Sequence, residues 1–338
     1  MIGGWMLILA ALPGARAGYG DVDADGFPSW EDRELHLWTN AFRMDPEHFE
    51  EQVGCWDEFE PSEKTPKAPL GYDRTLNEAG RFHSQDMADN EHFAHESSDG
   101  TSFGERLSRF YDSGFIGENI AWGYPTSFDA MLGWMCSAGH RSNIMLADWS
   151  ELGTGVVGVY YTQDFGGGAS DTAGPVKMGV HAPKAATDAA EFRVDFVDAD
   201  PPARIEVVVD GEAAAMDLVL GAPEQGLYGA DVTPAPADCH RYYFRWETAK
   251  GTSGVFPEGG SYLYGEACDN PLMFEPLQDG ADGGGDDGLP SDWDVDEDGD
   301  GAVDPGAVKL VGCAVAPGAG FAGGLAALAG LVLRRRRR

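Results

Sequence analysis

The chain is short of positive charge. Of 338 residues, 23 are Lys or Arg against 57 Asp or Glu, and the formal net charge is -34. Five of those basic residues form a terminal run, Arg334 to Arg338, so the body is more acidic still. A surface of that sign repels phosphate backbones, which argues against nucleic acid as a partner. Cysteine is scarce as well, with five in the chain. No two of them make a C-x-x-C pair, so the spacing of a zinc ribbon is missing. There is no G-x-S-x-G elbow. Ser97, Ser98 and Ser142 lie near histidines in sequence, but none stands in a recognisable nucleophile–base arrangement, so enzymatic activity has no support from that side.

Both ends carry apolar segments. Residues 1–17, MIGGWMLILAALPGARA, are apolar from Trp5 to Leu12 and end in Ala15-Arg16-Ala17, an A-x-A cleavage site. This reads as a secretory leader, although its first residues lack Lys and Arg. From Ala314 to Leu333 no residue is charged, which is long enough to span a bilayer. The arginines after it would stay cytoplasmic and hold the remainder outside. Gly312-Cys313, the apolar span and the terminal arginines together resemble the MYXO-CTERM class of sorting tails. That resemblance implies cutting near Cys313 and retention at, or release from, the cell surface. The expected location is therefore outside the cytoplasm, with the membrane a partner through the tail. In an oxidising compartment Cys239 pairs with Cys268, both in one strand-rich segment, and Cys55 with Cys136.

Between the ends the texture changes along the chain. Helical signals run from Ser29 to about Leu146. Ser29 can cap a helix with Asp32 as the capping-box acid, and Leu35, Leu37, Trp38, Ala41 and Phe42 recur at helical spacing. LNEAGRFHSQDMADN predicts a second helix with Leu76, Ala79, Phe82, His83 and Met87 on one stripe. FDAMLGWMCSA predicts a third. GTGVVGVYYTQDFG, beyond Leu152, reads as a strand. Short strands then follow, EFRVDFVDA, RIEVVVDG, AMDLVLGA, LYGADVTP and HRYYFRWETA, separated by turn residues. That pattern predicts a small immunoglobulin-like β-sandwich over 175–276. Residues 277–312 form an acidic linker with the composition of a disordered segment, and 313–338 the tail.

Four stretches carry chemistry: FAHESSDG, FGERL, GENIAWGY and GHRSNI. With Asn40 and Arg43 as an N-x-x-R pair, they resemble the SCP-like branch of the CAP superfamily, which includes cysteine-rich secretory proteins, antigen 5 and pathogenesis-related 1. The matching part covers residues 29–166. The resemblance implies an α+β class chain opening with a CAP α-β-α sandwich. It also implies a groove lined by two His and two Glu, which by motif are His95, Glu105, Glu118 and His140. No two of these are four apart, so only a fold could assemble them. Two imidazoles with carboxylates could hold zinc through His95 and His140, leaving a position for water. Without metal the same groups make a polar cluster that titrates near neutral pH. His83 and His92 read as packing residues, Arg141 as the partner of an acid, and Trp122, Tyr124 and Trp134 as core.

Two acidic loops have calcium-like spacing: Asp21, Asp23 and Asp25 before Gly26, and Asp296, Asp298, Asp300 and Asp304 around Gly301. The whole reads as an exported, surface-associated CAP protein that binds a small apolar, lipid or glycan ligand and cell-surface components. Metal-dependent hydrolysis at the same four residues is the alternative.

Overall fold

The computed structural model describes residues 18–23, 25–53, 59–167, 174–184, 189–237, 239–265, 268, 275–276 and 309–315. Its first unit opens with helix α1 (Trp30–Met44) and α2 (Pro46–Val53), then β1 (Gly71–Tyr72), α3 (Arg74–Asp89), α4 (Phe103–Leu107), β2 (Phe115–Trp122), α5 (Ser127–Met135), α6 (Ala138–Ile144), β3 (Glu151–Val157) and β4 (Tyr160–Gly167). The capping box at Ser29 forms as the sequence suggests. Ser29 Oγ accepts from Asp32 N at 3.1 Å, and Asp32 Oδ2 accepts from Ser29 N at 3.0 Å. The segment read as one strand after Leu152 is instead a hairpin, β3 and β4, turning at Gly158 and Val159. Gly158 takes φ +59, a left-handed conformation that suits glycine.

The sheet of this unit runs β1-β3-β4-β2, with β2 and β3 each antiparallel to β4. Strand β15 (Lys309–Val315) adds in parallel to the outer edge of β2, with Cys313 level with Asn119. The helices cover both faces. One face takes α3 and α4, where Leu76, Ala79, Phe103, Leu107, Tyr111 and Ile116 make a separate apolar cluster. The other takes α1, α5 and α6. There Gln163 donates to Thr39 Oγ1 at 2.7 Å, and Asn119 Nδ2 donates to Gln163 Oε1 at 3.0 Å.

The second unit is all β. Strands β5 (Gly179–Ala182), β6 (Ala190–Val197), β9 (Asp217–Ala222) and β10 (Gln225–Val232) make one sheet in the order β5-β6-β10-β9. The other runs β14-β13-β11-β7-β8, from β7 (Pro202–Val209), β8 (Glu212–Ala215), β11 (His240–Thr248), β13 (Gly260–Tyr264) and β14 (Glu275–Pro276). Strand β12 (Ser253–Phe256) pairs with β11. Aromatic rings join the two sheets: Phe192 lies 4.9 Å from Tyr242 and 5.5 Å from Tyr264. Cys239 and Cys268 are disulfide-bonded across a separation of 29 residues. Cys136 is also disulfide-bonded, while Cys55 lies outside the described residues. Serine at both Cys239 and Cys268 is expected to cost about 2–4 kcal/mol by freeing the unfolded chain, read as an earlier urea midpoint.

Helix α1 is buried from two sides and joins the units. Its Asp32 accepts from Val156 N on β3 at 2.9 Å. On its opposite flank Asn40 Nδ2 donates to Asp195 Oδ2 at 2.7 Å, Trp30 Nε1 to His181 O at 3.0 Å, and Arg33 to Tyr242 Oη at 3.0 Å. The two units thus share one continuous apolar core, from Leu35 and Phe42 to Phe192 and Phe244. Among the described residues no helix is long and apolar enough to cross a membrane. The leader, most of the 277–312 stretch, the tail beyond Val315, and Asp296, Asp298, Asp300 and Asp304 lie outside the described residues.

Candidate functional site

The site grows from β2. Alternate residues of a strand point to opposite faces, so Glu118 and Asn119 look opposite ways. Glu118 turns toward α3 and α4 and is fully buried. Its Oε1 lies 2.7 Å from His95 Nδ1 and 3.9 Å from His83 Nε2, and its Oε2 is bound by Arg106 Nη2. Arg106 also donates to His95 O at 2.6 Å and to Ser97 Oγ at 3.4 Å, fastening the FAHES loop over the strand. Asp164 of β4 stands directly opposite Glu118. It is buried, and neither of its oxygens receives a hydrogen bond.

The electrostatics follow from burial and this crowding. Burial works to raise the Glu118 pKa, but the Arg106 guanidinium and the His95 hydrogen bond overrule it and hold the carboxyl below its usual range. Burial and then the Glu118 charge push Asp164 well above the usual carboxylate range, so it carries a proton. Burial lowers His83 to about 4, making it neutral near pH 7, with Nε2 3.0 Å from Ala94 O. The cluster is therefore one buried cation, one buried anion, a protonated acid and two imidazoles. His95 is its only member at the surface, with its side chain 24% exposed.

Two residues expected in this group are elsewhere. Glu105 is exposed and closes the capping box of α4, its Oε2 accepting from Ser102 Oγ at 2.8 Å and Ser102 N at 3.3 Å. The spacing that made FGERL look like a groove motif is that of a helix start. His140 lies on the Asn119 face. Its backbone O accepts from Asn119 Nδ2 at 3.4 Å, and its Nδ1 is 2.7 Å from Oγ of Ser137, the N-cap of its helix. The sheet thus separates it from Glu118. The fold assembles His95 with Glu118 and adds His83, Arg106 and Asp164, which sequence reading left out.

These positions bear on metal. Among the described residues no group of three or more His, Cys, Asp and Glu is arranged to hold an ion. Both Glu118 oxygens are engaged, and a guanidinium beside them opposes a second cation. The donors do not fit a zinc shell made of His95 and His140. The Asp21 loop fits calcium no better. Asp21 accepts from Gly18 N and Gly259 N, and Asp23 from Asp25 N and Phe27 N and pairs with Arg74 at 3.3 Å, so the oxygens a calcium ion would take are spent on the chain itself.

The surface beside His95 is aromatic. Trp122 is four residues beyond Glu118 on β2 and so shares its face. It is not core as the sequence suggested: it is 39% exposed, because β2 ends there and no helix covers it. Its ring lies 6.2 Å from Tyr160, nearly parallel, and 6.3 Å from Phe93 on the His95 loop. Gly123 N donates to Val159 O at 2.9 Å and fixes this corner. Trp134 is buried as expected, and Arg141 finds its acid in Glu63, at 2.7 Å.

Part of the first unit is similar to known proteins. Residues 38–166 match the model of the CAP family, described as the cysteine-rich secretory protein family. The uncharacterized membrane protein YlbC of Bacillus subtilis is 39% identical over 99 residues, which is 29% of this chain and 29% of YlbC. The uncharacterized protein YkwD of the same organism is 39% identical over 100 residues, 29% of this chain and 39% of YkwD. The matched part thus spans well under half of either relative. A solved extracellular protein containing an SCP domain from Bacillus anthracis is 29% identical and aligns over 40% of this chain and 39% of its own, with a TM-score of 0.33. A cysteine-rich secretory protein from Staphylococcus aureus is 17% identical over 41% of this chain and 40% of its own, with a TM-score of 0.28. The family match supports a CAP domain over residues 38–166, joined here to an all-β unit that the match does not reach.

Proposed function

We propose that this is an exported binding protein whose CAP domain presents the His95 edge of β2 to a small apolar, lipid or glycan ligand. The observation that carries the reading is the junction of a partly exposed imidazole, tethered by a buried carboxylate, with an aromatic corner made of the exposed Trp122 and the half-buried Phe93 and Tyr160. Exposed aromatics with a polar group at their edge suit ligand contact. The second unit, read as an immunoglobulin-like sandwich, would hold the domain to cell-surface components, and the tail would tie it to the membrane. The leader sequence and a disulfide-bonded second unit support export.

The hydrolase alternative needs metal at His95 and His140. A titration decides between the two readings. The purified protein is mixed with palmitate, phosphatidylcholine vesicles and chitotetraose while tryptophan emission is followed, and separately with zinc in a calorimeter. Binding of at least one of the three organic probes is expected, with Trp122→Ala weakening it about tenfold, near 1.4 kcal/mol. Micromolar zinc binding abolished by both His95→Ala and His140→Ala would overturn this in favour of the hydrolase.

A further inference from the structure

The first residues after the leader are built into the fold more deeply than a terminus needs to be. Tyr72 N donates to Tyr19 Oη at 2.6 Å, Glu258 N to Tyr19 O at 3.0 Å, and Tyr262 Oη to Gly20 O at 2.7 Å. The segment therefore touches the CAP sheet at Tyr72 and the second unit at β13 and the turn before it. At its head, Gly18 N lies 2.6 Å from Asp21 Oδ2. Asp21 is only 2% exposed, and its other oxygen accepts from Gly259 N at 2.9 Å. A second carboxylate, Glu258, accepts from Tyr19 N at 2.7 Å. Side chains are excluded on both sides of Asp21. A Cβ on Gly18 would meet Glu258 Cβ at 2.9 Å, and one on Gly259 would meet Asp21 Oδ2 at 2.5 Å.

Two carboxylates thus stand at the head of the segment, Asp21 on Gly18 N and Glu258 on Tyr19 N, and both bond only neutral amides there. Arg74 is near, but its guanidinium bonds Asp21 O and Asp23 Oδ2, not the Asp21 carboxylate. Burial raises the Asp21 pKa in spite of its two backbone donors and the Arg74 charge nearby. The nitrogen in question belongs to the residue that follows Ala15-Arg16-Ala17.

We propose that the α-ammonium released by cleavage between Ala17 and Gly18 pairs with the buried Asp21 carboxylate, with the exposed Glu258 beside it on Tyr19 N. The covalent step is hydrolysis by a leader peptidase. The C–N bond of Ala17–Gly18 breaks, and the hydroxyl of water goes to the Ala17 carbonyl, which leaves with the leader as a carboxylate. The amine stays on Gly18 and takes up protons to become an ammonium. A neutral donor at Asp21 is thereby replaced by a charged one, which strengthens the bond. Before cleavage the head of the strap has no cation of its own at Asp21, its only ion pair being Arg74 with Asp23, so the precursor is looser and the clasp between the two units tightens after export.

The test compares two full-length proteins, one released by a tag protease to begin at Gly18 and one beginning at Ala17. The Gly18 form is expected to melt roughly 2–5 °C higher, as befits a half-buried ammonium on one buried carboxylate in a chain this size. In an Asp21→Asn background the two forms should melt together. Chemical acetylation of the Gly18 amine, checked by mass, should reproduce the loss without any substitution. Exported protein should have Gly18 as its first residue by N-terminal sequencing. Equal melting of the two forms with Asp21 intact, or a native N-terminus at another residue, would overturn the proposal.

Discussion

Glu118→Ala is expected to destabilise the protein by roughly 3–5 kcal/mol, because it leaves the Arg106 guanidinium buried without its carboxylate. Urea unfolding at pH 7 measures it. Glu118→Gln should cost somewhat less, since the amide keeps the volume and Asp164 can give up its proton and take over the charge. Asp164→Asn should cost under about 1 kcal/mol, because an amide replaces an acid already held neutral by burial and by Glu118. The double variant should then cost more than the two singles added together, as no carboxylate remains for Arg106. The pH dependence has a definite sign. The folded pKa of Glu118 lies below its unfolded value of 4.5. Its contribution is therefore present above that pH and is lost as pH falls through the folded value. The gap between wild type and Glu118→Gln should close in the same range. His83, lowered from 6.5 to about 4 in wild type, adds a loss in the same direction between those two values, and in Glu118→Gln it loses the carboxylate that favours its charged form. A cost below about 1 kcal/mol for Glu118→Ala would mean that Asp164 replaces Glu118 as the anion of Arg106 even when the side chain beside it is gone.

The sequence carried His95 and Glu118 legibly, because each sits inside a motif of several fixed residues. It misled on Glu105, where Ser102-x-x-Glu105 is equally a capping box and the local bonds take the side chain. It misled on His140 because motif order in the chain does not say which face of a sheet a helix covers. That depends on the parity of residues along β2, where Glu118 and Asn119 differ by one position and by a whole layer. His83 was visible but discounted. Its place on the apolar stripe with Leu76, Ala79 and Met87 was read as packing, yet that stripe faces the sheet, and so it faces Glu118. Arg106 lay inside FGERL without being singled out, and Asp164 had no motif of its own. The signal that finds them is the cost of burial: once Glu118 is inside, a cation must be inside with it, and FGERL supplies the nearest one. Five strands of the second unit, β6, β7, β9, β10 and β11, were legible from their turns, and the shorter ones between and around them were not. Its docking on α1 was not, since Asn40 to Asp195 and Arg33 to Tyr242 join residues 155 and 209 positions apart.

Gly155→Val should be more damaging than any change at the site, at roughly 5 kcal/mol or more. Helix α3 lies on β3 backbone to backbone. A Cβ at Gly155 would stand 2.1 Å from Gly80 C and 2.2 Å from Arg81 N, and one at Gly153 would stand 2.0 Å from Leu76 C. These neighbours are main chain inside a helix and cannot rotate away. The helix would have to lift by roughly 1 Å before even a methyl fitted, and further for a valine, against a core packed like a crystal. Lifting breaks the bond from Ser84 Oγ to Gly155 O at 2.9 Å and from Asn77 Nδ2 to Thr154 O at 2.5 Å. It also draws His83 away from Glu118 and uncovers the face that His95 closes. Gly100→Ala is the control for backbone strain alone. That glycine has φ +84 with open space around it, and its loss should cost about 1 kcal/mol. If Gly155→Val unfolds in urea close to Gly100→Ala, α3 is not seated on β3 and the site has no fixed wall. If it fails to fold while Gly100→Ala folds, the two glycines of GTG are what bring an imidazole on a helix to a carboxylate on a strand. The site then depends on absent side chains as much as on those present.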